Sequence, residues 1–256
     1  MRPKCKYCGK EYKLNTWEFL HFLSPMMQEK LKYIPDCDCL DKESEKELER
    51  LEKERVKQCV MNRIKRYKDI SIIDKKFETN IFEKADMRDK HMQLSKRFAE
   101  NFVKKGSAPT GIMFFGSVGT GKTYASNCIA NYLMENGKTV LVMNLSRYIN
   151  KLQREWAEAE KDVLSYIETC DLLVIDDFGV EKASEFVIEK TFGLVDTRYR
   201  TERPMIITTN LNLQDIETKF GSRISDRIKE MCFPLQVIGV SKRGLNIKDS
   251  FLEFIA

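Results

Sequence analysis

The sequence predicts an α/β fold: a parallel five-stranded sheet flanked by helices, preceded by a small N-terminal cysteine module and a charged helix. Three observations carry this reading. From about residue 69 onward, short apolar runs alternate with helical patterns, the texture of βαβ units packed on both faces of a sheet. Residues 41–68 contain neither Gly nor Pro and read as one helix. Residues 1–40 hold four of the eight cysteines and few periodic signals. A chain of 256 residues is long enough for one sizeable core and a small appended module. The expected domains are therefore 1–40, 41–68 and 69–256.

Composition bounds the function classes. Charged residues make up 32% of the chain, Gly and Pro are scarce, and no apolar run approaches the roughly 20 residues a spanning helix needs. The start, MRPKCKYCGKEYK, lacks the apolar centre of a signal peptide. The expectation is a cytoplasmic protein with no membrane partner, whose cysteines serve as thiols or metal ligands rather than disulfides. The net charge of +5 permits nucleic-acid contact without requiring it.

Taken in order, the helix over 41–68 has acidic and basic residues three apart (Glu43–Lys46, Glu47–Arg50, Glu52–Arg55, Glu54–Lys57), then a basic half from Lys57 to Lys68 with no acid. Strands are expected at 112–115, 139–143, 172–175, 205–209 and 235–240. Helices are expected near 122–136, 145–158, 184–201 and 222–230. Gly137 suits the residue after a helix end, and Ser184 suits an N-cap.

Between the first of these strands and the first of these helices lies GSVGTGKT, a complete G-x-x-x-x-G-K-[ST]. Glycines at such spacing let backbone N–H groups wrap a phosphate chain without Cβ interference. Gly116, Ser117, Val118, Gly119, Thr120 and Gly121 would form that cradle for ATP. Lys122 would reach the β- and γ-phosphates, and the Thr123 hydroxyl would ligate Mg²⁺. Further on, LLVIDDFGVE places two carboxylates at the end of a buried strand, where α/β sheets hold ligands. Asp176 would hold Mg²⁺ and Asp177 would orient or deprotonate the attacking water. MIITTN ends in Asn210, which is either a ligand of the attacking water and γ-phosphate or an ordinary turn-forming residue.

The cysteine module has Cys5-x2-Cys8 on one knuckle and Cys37-x-Cys39 later, the two thiolate pairs a tetrahedral Zn²⁺ site requires. His21 is an alternative ligand, but its apolar setting, WEFLHFL, favours a core histidine. Cys59, Cys128, Cys170 and Cys232 read as structural or surface thiols. A zinc knuckle in so short a segment replaces a core too small to form, leaving its surface for a partner.

Together GSVGTGKT, LLVIDDFGVE, ITTN, SRISDRI and GVSKR occur in the order seen in AAA+ ATPases of the P-loop NTPase class, and 69–250 resembles their DnaC/DnaI helicase-loader branch, which includes the IstB transposition helpers. FETNIFEKADMRDKHMQLSKRFAENFVKK is similar to that branch's lead-in helix. The resemblance implies that Asn210 is the first sensor, Arg227 an arginine finger acting on a neighbouring subunit with Arg223 accessory to it, and Arg243 the second sensor. It also implies contact with single-stranded DNA through 144–170. There Tyr148 and Trp156 would stack bases and Arg147, Lys151 and Arg154 would meet phosphates. Leu145, Ile149, Leu152 and Trp156 equally form one helical stripe, which favours a core position for Trp156. The sequence has Asp177 where most of the family has Glu, which implies slow hydrolysis; Glu181 is a weak candidate to compensate.

The function implied is an ATP-dependent loader that binds a replicative DnaB-type helicase and delivers it to single-stranded DNA, self-associating through its AAA+ interface. ATP, Mg²⁺ and Zn²⁺ are the expected cofactors. The alternatives are an IstB-like transposition helper and a nucleotide-gated adaptor with little hydrolysis.

Overall fold

A computed structural model describes residues 2–71, 77–154 and 157–242. The chain divides into two compact units, Met1–Val60 and Met61–Ala256.

In the first unit, β1 (Lys13–Leu14) pairs antiparallel with β2 (Tyr33–Ile34), and α1 (Pro25–Lys30) lies between them in sequence. Neither strand nor α1 contains a buried residue. Cys5 is the buried residue of this unit among those described, so its apolar core is minimal. The helix α2 (Cys39–Ile70) begins here and continues into the second unit, slightly longer at both ends than expected. Glu47–Arg50 and Glu52–Arg55 close as ion pairs on it, joined by Arg50–Glu54 and Lys53–Glu49. These pairs are well exposed, so each adds little to stability.

The second unit begins with the C-terminal turns of α2, where Ile64 and Tyr67 are buried. Then follow α3 (Lys90–Lys105), β3 (Gly111–Phe115), α4 (Lys122–Glu135), β4 (Val140–Asn144), α5 (Leu145–Arg154) and α6 (Ala157–Thr169). The chain continues through β5 (Leu172–Phe178), α7 (Glu185–Arg200), β6 (Met205–Thr209), α8 (Leu213–Phe220), α9 (Ser222–Met231) and β7 (Cys232–Gln236). The sheet is parallel throughout, in the order β4-β5-β6-β3-β7. Strand residues alternate between its two faces. Met113, Leu141, Met143, Leu173, Ile175 and Ile207 join one buried cluster, whereas Ile112, Phe114, Val140, Val142, Val174 and Ile206 join another. Both faces are covered, which is why the strands read as continuous apolar runs. Among the described residues no helix is long and apolar enough to cross a membrane.

Several elements differ from expectation. The last strand begins at Cys232, directly after α9, rather than at residue 235. Pro234 lies within it and is tolerated because β7 is an edge strand, bonded only to β3. Ile238 and Val240, expected inside that strand, are 81% and 82% exposed. Around the helix expected over 145–158, the described residues are helical over α5 and again over α6, which runs on to Thr169. An unexpected helix, α8, starts on a capping box in which the Asn212 side chain and Asp215 bond reciprocally to each other's backbone amides. Ser184 caps α7 as expected, accepting from the Val187 amide.

Candidate nucleotide site

The loop 116–123 joins the end of β3 to the start of α4, so its amides and the helix N-terminus face one point. Two loop glycines are required by what passes beside them. Gly116 has φ 138° and a side chain there would run into the Val237 carbonyl. Gly119 has φ 82° and a side chain would collide with Ser241. The segment 237–242, leaving β7, is bonded to the end of β3 through Val237 N–H to Phe115 O (2.8 Å) and to the loop through Lys242 N–H to Gly119 O (2.9 Å). Thr120 closes the loop internally on the Ser117 carbonyl, 2.9 Å away.

Lys122 is 8% exposed, and its ammonium donates to Gly116 O (2.9 Å), Ser117 O (2.7 Å) and Asn210 Oδ1 (2.8 Å). Asn210 follows β6, which lies between the loop strand β3 and the aspartate strand β5. The structure therefore brings Lys122 and Asn210 together from positions far apart in the chain. Thr123 donates to Asp176 Oδ1 at 2.8 Å, the pair expected to hold Mg²⁺. Both ligands are hard oxygens, and they are side by side, so the donor set fits that ion.

Asp177 adopts φ 55°, beside an irregularity in the β5–β6 pairing between Ile175 and Phe178. That left-handed turn suits Asp, which tolerates positive φ better than most residues. Its amide donates to Thr208 Oγ1 (3.0 Å), and the Thr208 hydroxyl donates to Asp176 Oδ1 (2.5 Å). Asn144, at the end of β4, reaches the Asp177 carboxylate at 3.5 Å. Thr208 and Asn144 were not singled out by the sequence. The signal for both was positional: Asn144 ends β4 and Thr208 is next to the end of β6, the two strands that neighbour β5. Glu181 accepts from Ser146 Oγ (2.7 Å) and the Gly179 amide (3.2 Å), so its carboxylate is engaged away from a catalytic role.

Lys122, Thr123, Asp177 and Asn210 line a cleft of about 540 Å³ that also includes Phe77, Asn80, Met92 and Tyr124. The α4 side chain Asn131 donates to Phe77 O and Asn80 O, and the Tyr124 hydroxyl donates to Ile81 O, fixing that apolar end. His91, on α3, lines the cleft too, and burial lowers its pKa against the opposing charge of Asp89.

Arg227 is held within its own chain. Its guanidinium bonds Asp196 at 2.9 Å, donates to the Arg223 carbonyl at 3.0 Å, and stacks over Phe192 and Tyr199. Arg223 is exposed and borders a surface groove with Glu185, Glu189 and Phe220. Arg243 and Trp156 lie outside the described residues, as do the side chains of Lys151 and Arg154. Tyr148 is 1% exposed within the core, which removes its ring as a platform for bases. Arg147 is exposed.

In the first unit, the sulfurs of Cys5, Cys8, Cys37 and Cys39 all lie within 4.8 Å of one another. A tetrahedral zinc with bonds of about 2.3 Å places its sulfurs roughly 3.8 Å apart, so the four thiols fit the ion. The knuckle is shaped by Cys5 N–H to Lys10 O and Gly9 N–H to Cys5 O. The Cys8 and Tyr7 amides pull the Cys5 thiol down to about 7, whereas the neighbouring Cys8 thiol pushes Cys39 up to about 12. A divalent cation would relieve that crowding by taking all four as thiolates. His21 stands apart from this cluster and outside any core; it is exposed and stacks on Phe22 at 4.8 Å. Cys128, Cys170 and Cys232 are buried, and Cys59 is exposed on α2.

A five-stranded parallel sheet in this order, with a phosphate loop after β3 and paired aspartates on β5, defines a P-loop protein of the AAA+ type. The sequence matches the IstB-like ATP binding protein family over residues 30–249, and the chain belongs to that family. Among curated relatives, the replicative helicase loader DnaC of Buchnera aphidicola subsp. Acyrthosiphon pisum is 27% identical over 148 residues, 56% of this chain and 59% of that protein. The DnaC of Escherichia coli K12 is 31% identical over 120 residues, 46% of this chain and 49% of that protein. The chain thus spans about half the length of the curated relatives it matches. A crystal structure of DnaI superimposes with a TM-score of 0.59 at 22% identity, covering 70% of this chain and all of that one, a likeness of fold.

Proposed function

We propose that this protein is an ATPase that loads a replicative DnaB-type helicase onto single-stranded DNA. The observation that carries the ATPase half is the convergence of Lys122, Thr123, Asp177 and Asn210 on one cleft, with Asp176 bonded to Thr123 behind them. Lys122 and the loop amides bind and orient the phosphate chain, and Thr123 with Asp176 would hold Mg²⁺, whose charge offsets that of the phosphates. Asp177 takes the proton of the attacking water and Asn210 orients that water toward the γ-phosphate. Aspartate is shorter than glutamate and its backbone is fixed by the left-handed turn, so hydrolysis is slow. Arg227, released from Asp196, supplies the missing positive charge from a neighbouring subunit, with Arg223 shaping that contact and Arg243 sensing the nucleotide from the segment after β7.

The helicase half rests on the relatives named as replicative helicase loaders. Residues 1–40, folded around zinc, and the charged helix over 41–68 grip the helicase, while 69–256 is the ATPase domain. Supporting this, Trp17, Phe19, Phe22 and Met26 are each more than half exposed in the first unit, and a surface that apolar suits a protein partner. The exposed Arg147 and the basic residues of α5 meet the DNA backbone. A pull-down of purified replicative helicase against a purified transposase tests the reading. Capture of the helicase supports it, and exclusive capture of the transposase replaces it with a transposition helper.

A second reading, a nucleotide-gated adaptor with little hydrolysis, draws on the restrained geometry of Asp177. Steady-state ATPase with and without single-stranded DNA separates the two: a DNA-dependent rate favours the loader.

A further inference from the structure

The segment 237–242 does more than close the fold behind β7. Two backbone hydrogen bonds tie it down, one to Phe115 at the end of β3 and one to Gly119 in the phosphate loop, and two of the loop's glycines are bare where it passes. At its end the Lys242 ammonium is an ion-pair partner of the Asp89 carboxylate. Both side chains line the same cleft as Lys122 and Gly119, Asp89 from the start of α3 and Lys242 from the strap. Asp89 occupies the N-cap position of α3, where an aspartate ordinarily accepts from the helix's first amides; here its side chain makes no such bond. Its charge is given to Lys242 instead. Arg88, the residue before Asp89, is engaged by Asp86 at 2.8 Å.

A lysine paired with a carboxylate at the rim of a polyphosphate cleft has competing anions to choose from. A nucleotide triphosphate carries several negative charges on oxygens that Lys122 and the loop amides draw to the same crest. We propose that Lys242 is a second polyphosphate ligand of the nucleotide site, and that Asp89 sets nucleotide affinity by competing for the same ammonium. The inference rests on the ATP-binding reading and adds to it two residues outside the phosphate-loop motif. The backbone bond from Lys242 to Gly119 keeps the lysine beside the loop whichever anion it faces. The pair is partly exposed, with side chains 44% and 29% accessible, so the exchange is a modest tuning rather than an on–off gate.

Affinities of ATP, ADP and AMP, measured by fluorescence titration on the full chain, test this. Lys242→Ala weakens ATP about three- to fivefold and AMP much less, because AMP lacks the outer phosphates. Lys242→Arg restores most of the loss. Asp89→Asn tightens ATP about two- to threefold, since the lysine no longer has to leave a carboxylate. Equal weakening of ATP and AMP by Lys242→Ala, or unchanged affinity, overturns the ligand role. Unchanged or weaker ATP binding by Asp89→Asn overturns the competition. If the wild-type chain binds no ATP, it is the underlying nucleotide reading that fails. Wild-type binding that is lost in Lys122→Ala while both new variants stay at wild-type affinity sinks this inference alone.

Discussion

Lys122 already sits among oxygens: two carbonyls of its own loop and the Asn210 amide. A side chain so placed can transfer to phosphate oxygens at little conformational cost, because its stem is fixed by burial. Lys122→Ala is expected to abolish measurable ATP binding, and isothermal titration checks it. Asp177→Asn keeps the left-handed turn, since Asn tolerates positive φ as Asp does, but removes the base. It should bind ATP like wild type while its steady-state rate falls by about 10²-fold or more. At Arg227 the sequence pointed to an outward cation, and the structure holds it on Asp196. A finger role then requires that ion pair to open on assembly. Arg227→Ala should bind ATP normally and lose about 10³-fold in rate, partly regained on mixing with Lys122→Ala as hybrid interfaces form. A rate flat at background across mixing ratios, with mixed assembly verified, counts against action between subunits.

The elements show where the sequence was readable and where it was not. The loop, its flanking strand and helix, and the two aspartates were legible because each needs residue types that packing alone does not demand. The end of β7 was not. Its apolar run LQVIGV looks like a strand, but pairing with β3 starts at Cys232 and the run's end turns over the phosphate loop. The α8 helix was missed because eight residues carry too little periodicity, although Asn212 and Asp215 three apart were its signature. Asn212→Ala should cost about 1 kcal/mol in urea unfolding. Arg198 was invisible for a different reason. It is fully buried, with its guanidinium donating to the carbonyls of Ile167, Cys170 and Pro204, and no charge pattern announces such a contact. The cysteine spacing was legible, and the convergence of the four sulfurs follows from it. Removing Cys5 or Cys39 should release one zinc per chain and cost helicase binding, while nucleotide affinity, housed in the other unit, stays within about twofold. Elemental analysis beside titration checks both halves.

At the scale of the whole molecule, the chain joins a nearly coreless cysteine unit to a nucleotide-binding sheet through α2. That division suits a protein whose one part holds a partner while the other responds to nucleotide. The central claim is that ATP at the cleft drives delivery of a replicative helicase to DNA. The direct measurement is the amount of DnaB-type helicase retained on circular single-stranded DNA after incubation with ATP. With the wild-type protein, retention should rise well above helicase alone, and Lys122→Ala, although still bound to the helicase, should leave it at that baseline. Equal retention with and without the protein would contradict the account.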